Sequence, residues 1–94
     1  MPIGFMKLLY YCMRQLRQDE KAVTVDYYDL DRLIYRYGNY EYTIRMFNID
    51  RHGVTTYTVF KKTFEVKLDG KDYGIVYNKV PVVSGVVDIN KVVI

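Results

Sequence analysis

The sequence predicts an α+β domain with two N-terminal helices packed on a four- to five-stranded antiparallel sheet. Three observations carry this. Up to Gly38, apolar residues recur at helical spacing. From Tyr40 onward the period falls to two. Between two alternating runs stands Asp69-Gly70, which supplies the positive φ angles of a two-residue hairpin turn. A length of 94 residues makes this a single domain, 1–94, with one modest core.

The first helix is expected over about 3–18. Phe5, Leu8, Leu9, Cys12, Met13 and Leu16 form one stripe, and Lys7, Tyr11, Arg14 and Gln18 lie opposite. Asp19-Glu20-Lys21 breaks it, and 22–25 reads as a short extended piece. A second helix is expected from an Asp26 N-cap, with Asp29 suited to the positive end of its dipole. Val25 and Leu30 have hydrophobic-staple spacing. Tyr27, Leu30, Leu33, Ile34 and Tyr37 form its stripe, and Gly38 ends it in a left-handed conformation.

The strands follow. Tyr42, Ile44 and Met46 share a face. If Ile49 faces Val54 across the Asp50-Arg51-His52-Gly53 loop, Met46 meets Tyr57 and Ile44 meets Val59. If Leu68 faces Lys71, Val66 falls opposite Tyr73, Phe64 opposite Ile75 and Lys62 opposite Tyr77. Tyr57 and Val59 differ in parity from Phe64, Val66 and Leu68, so a bulge near Phe60-Lys61-Lys62 is expected to bring both sets to the core. The inner face then holds Ile44, Met46, Tyr57, Val59, Phe64, Val66, Tyr73 and Ile75. Residues 80–94 supply one or two more strands with a turn at Ser84-Gly85, and Pro81 favours an edge. This valine-rich segment is more apolar than a solvated edge strand tolerates, so either it is central in the sheet or it pairs across a two-fold axis, and the favoured reading is a homodimer through 80–94.

Composition excludes several classes. Half the residues are hydrophobic and two are prolines, which argues against disorder. No apolar run approaches the ~20 residues of a membrane span, so no membrane partner is expected. The lone Cys12 fits a reducing, cytoplasmic setting. A net charge of +3 falls short of a dedicated nucleic-acid binder. Two glutamines beside abundant Val, Ile, Lys, Arg and eleven tyrosines suggest a hot habitat, which a melting temperature below about 60 °C would contradict.

No catalytic set, cofactor motif or metal-ligand cluster emerges. Cys12 lies on an apolar stripe and His52, the only histidine, in a loop. Glu65-Val66-Lys67, with Asp50 on the preceding loop, resembles the split carboxylate–lysine arrangement of the PD-(D/E)xK nucleases, without the proline before the aspartate. That resemblance implies two carboxylates on a divalent metal and a lysine orienting water. The polar helix faces carry Lys7, Tyr11, Arg14, Arg17, Tyr28, Arg32, Tyr35 and Arg36, residue types that suit a protein interface or phosphate and base contacts. The first reading is therefore a small non-enzymatic protein acting on a protein partner through a Tyr/Arg surface. Such tyrosine-rich single domains are common among virus and plasmid products. A nucleic-acid-binding module is the second reading and a metal-dependent nuclease the third.

Overall fold

The computed structural model describes residues 1–47, 50–70 and 72–94. One helix, α1 (Ile3–Gln15), precedes five strands: β1 (Val23–Tyr28), β2 (Arg32–Tyr37), β3 (Tyr40–Phe47), β4 (Val54–Asp69) and β5 (Asp72–Asp88). Single 3-10 turns lie at Glu20–Ala22 and Ile89–Lys91. The strands form one antiparallel meander in chain order, β1-β2-β3-β4-β5. Strands take 58% of the described residues, which are mostly β with a single helix among them.

The expected second helix is instead the β1–β2 hairpin. Leu30, Leu33, Ile34 and Tyr37 satisfy a helical period, but Leu33, Tyr35 and Tyr37 also satisfy alternation. Val, Thr, Tyr and Ile dominate the segment and suit a pleated surface. Leu30 is 85% exposed at the hairpin tip. Asp29 caps that turn rather than a helix. It accepts hydrogen bonds from the Asp31 and Arg32 amides at 3.0 and 3.1 Å and from the Tyr27 hydroxyl at 2.6 Å. Asp26 caps nothing; its carboxylate pairs with Arg36 at 2.8 Å. Gly38 keeps its positive φ, 60°, but uses it in the two-residue loop that lets Tyr37 pair with Tyr40.

The core lies between α1 and one sheet face. Leu8, Leu9, Cys12 and Met13 meet Leu33, Tyr35, Ile44, Met46, Tyr57 and Val59. Tyr35 is fully buried and stacks on Tyr42 at 5.1 Å, and its hydroxyl donates to Gln18 Oε1 at 2.9 Å. The β3–β4 register is Met46 with Tyr57 and Ile44 with Val59, as the alternation predicts. Ile49 lies outside the described residues.

The second half of the sheet departs from expectation. Leu68 pairs with Tyr73, Val66 with Ile75 and Phe64 with Tyr77, two residues away from the expected register. Gly70, at φ 64°, takes the first loop position, which leaves Asp69 to pair with Asp72. Lys71 lies outside the described residues. A two-residue shift preserves facing, so the six side chains still share a side. No bulge interrupts β4 near residue 61. The irregularity falls on β5, where Val59 pairs with Val83 but Phe60 pairs with Pro81, leaving Val82 as the extra residue. Ser84-Gly85 is not a turn but strand, paired with Thr58 and Tyr57. Unbroken alternation along β4 therefore sends Phe64, Val66 and Leu68 to the face opposite α1.

Lengths explain why no described element covers them. Thirteen helical residues span about 20 Å, whereas sixteen strand residues span roughly 55 Å. The molecule measures 55 × 28 × 20 Å. Beyond Lys62 and Lys79 the β4–β5 hairpin continues alone as an arm.

Candidate interaction surface

The arm is amphipathic. One face carries the cross-strand pairs Phe64–Tyr77, Val66–Ile75 and Leu68–Tyr73, each residue 55–79% exposed. The other carries Thr63, Glu65, Lys67, Asp69, Asp72 and Asn78, with the apolar Val76 among them. There Lys67 Nζ sits 3.5 Å from Glu65, and Asn78 Nδ2 donates to Glu65 at 3.5 Å. Antiparallel sheets with one apolar and one polar face ordinarily have the apolar side covered. A lone two-stranded hairpin is at best marginally stable in water. At the base of the stripe, Phe64 and Tyr77 stand 6.5 Å apart with tilted rings, and Lys62 Nζ lies 4.8 Å over the Tyr77 ring and 3.7 Å from Glu41. Sequence reasoning missed this surface because it assigned the stripe to the core. The parity change after Val59 is the signal that marks it.

The eight sequence-predicted contact residues do not converge on one patch. Tyr35 is in the core. Lys7, Tyr11, Arg14 and Arg17 lie on or just after α1, and Tyr28 packs its ring 5.2 Å from Phe5 on that same side. Arg17 adopts φ 55°, a left-handed conformation that ends the helix. Arg32 and Arg36, which alternate with Leu33 and Tyr35, project from the helix-free face that the arm's stripe continues. Both are paired: Arg36 with Asp26, which raises its pKa, and Arg32 with Asp29 at 3.7 Å and over the Tyr27 ring at 5.1 Å. An open cavity of about 390 Å³ brings Tyr11 and Arg14 beside Val87, Lys91 and Val93. Arg14 is held there by Glu20 at 2.6 Å and by the Val93 carbonyl at 2.6 Å.

The nuclease constellation does not assemble. Asp50 turns back on its own loop and accepts from the His52 and Val54 amides at 2.8 and 3.0 Å; the Val54 bond foremost lowers its pKa. Glu65 lies eleven strand positions beyond Val54, roughly 35 Å away. Among the described residues, no three His, Cys, Asp or Glu side chains cluster to hold a metal. No helix there is long and apolar enough to cross a membrane.

Burial pushes the Cys12 thiol up to about 12 and raises the phenols of Tyr35 and Tyr57 above their ordinary value. All three are neutral when protonated, and folding favours that form. Their contribution is complete below the unfolded thiol and phenol values of 9.0 and 10.0, and is lost as pH rises through the folded ones. The urea midpoint should hold to about pH 9 and fall from there toward 12, and Cys12 should resist thiol reagents until the protein unfolds. A midpoint unchanged to pH 11, or rapid native labelling, would contradict the burial of these groups.

Comparison with protein-family models, curated proteins and solved structures finds no match to this chain.

Proposed function

We propose that this chain is a non-enzymatic binding protein that acts on a macromolecular partner through the apolar face of its β4–β5 arm. The observation that carries the reading is the six-residue stripe, uncovered by any part of the chain described. Exposed contiguous apolar surface of this size marks an interaction site. The arm takes the place of the dispersed Tyr/Arg surface as the main contact, and Arg32 and Arg36 lie on the same side of the sheet, on β2. A protein partner fits better than a nucleic acid, because the stripe offers dispersion and area rather than phosphate neutralisation. The proposed compartment is the cytoplasm, on the strength of one buried, unpaired cysteine.

The test compares immobilised wild type with a Val66→Lys, Ile75→Glu double variant in extract of the cell that makes the protein. Wild type should retain its partner in high salt and the variant should not. Binding that survives the double variant but collapses with salt, or with Arg32→Ala and Arg36→Ala, would overturn the arm reading in favour of phosphate contacts.

A further inference from the structure

Resting on that reading, we propose that the occupant of the stripe is a second copy of this chain, its arm laid antiparallel over the first about a two-fold axis near the Val66–Ile75 pair. Three observations support this. The first is area. The six side chains expose roughly 700 Å² together, close to the ~800 Å² that each partner contributes to a standard interface.

The second is pattern. Val66–Ile75 is the central pair, with an aromatic-containing pair on either side, Phe64–Tyr77 and Leu68–Tyr73. Antiparallel stacking sets the distal pair of one copy against the proximal pair of the other at both ends. Each stripe is then wholly covered by the other, and the pairing is isologous, so the stripe contact closes as a dimer.

The third is access. α1 lies on the opposite face, so two arms approach to the ~10 Å separation of packed sheets unobstructed.

Sedimentation equilibrium of wild type across the micromolar range should give twice the chain mass. The Val66→Lys, Ile75→Glu variant should raise the dissociation constant by about 100-fold or more. Val66→Cys, near the axis, should give a covalent dimer with a short bis-maleimide, and Glu65→Cys, on the polar face, should not; Cys12 is buried and silent. A wild type that stays monomeric, a dimer indifferent to the double variant, or open-ended oligomers would overturn the inference. If wild type is monomeric yet the double variant still loses its partner in extract, the second copy is excluded and the arm reading stands. If the variant loses nothing in either assay, both fall.

Discussion

Tyr35→Ala will lower stability by about 3–5 kcal/mol, the range for removing a buried aromatic side chain. Tyr35 is fully enclosed, stacked on Tyr42, and joined through its hydroxyl to Gln18 just beyond α1. Alanine would leave a cavity where the helix meets β2 and β3. It would also strip Gln18 of its partner. Tyr35→Phe keeps the ring and should cost only about 1 kcal/mol, the net worth of one hydrogen bond. Phe64→Ala, by contrast, should change the urea midpoint of the dilute protein little, because Phe64 is 63% exposed. For a domain whose total stability is of the order of 5–15 kcal/mol, the first change is severe and the last nearly invisible. Equal effects at Tyr35 and Phe64 would mean that the stripe is covered in the monomer, contrary to the fold described.

Shortening the arm should abolish binding while leaving the body folded. Replacing residues 63–78 with an Asn-Gly turn joins Lys62 to Lys79, which already pair, through a two-residue hairpin loop. None of the buried core residues lies within 63–78. The core between α1 and the sheet, including Val87 of β5, lies outside the replaced segment, and the stability of the shortened monomer should stay within about 1 kcal/mol of wild type, as surface changes ordinarily do. Circular dichroism and urea melts check the first half, and partner capture and sedimentation the second. A shortened chain that fails to fold would show that the arm belongs to the core. One that binds as well as wild type would move the interface elsewhere.

How much of this was legible in the sequence differs by element. α1 was readable because Leu8, Leu9, Cys12 and Met13 repeat without a competing alternation. The β3–β4 register was readable because Ile44 and Met46 have only one pairing that sets them against Val59 and Tyr57. Residues 26–38 were not, because Leu33 and Tyr37 serve both periods, and Asp26 and Gly38 fit helix caps as well as they fit a strand and a hairpin loop. With one helix instead of two, half the expected cover for the sheet vanished. The arm's facing was present in the alternation of Phe64, Val66 and Leu68. Its exposure depended on what lay over it, and that is a property of the assembled layers rather than of the segment. Tyr35 failed as a surface residue for the same reason. On a helix it would have faced water beside Arg32 and Arg36; on a strand, alternation turns it inward between them.

Hydroxyl-radical footprinting of the aromatic residues tests the central claim most directly. Phe64, Tyr73 and Tyr77 report on the stripe, while Tyr28 and Tyr40, each 42% exposed on the body, serve as internal references. In dilute protein all five should be modified readily. With the partner present, or with the chain itself concentrated well above micromolar, modification of the three arm residues should fall several-fold and that of the two references should not. Arm residues that stay as reactive as Tyr28 and Tyr40 under every condition would contradict the account.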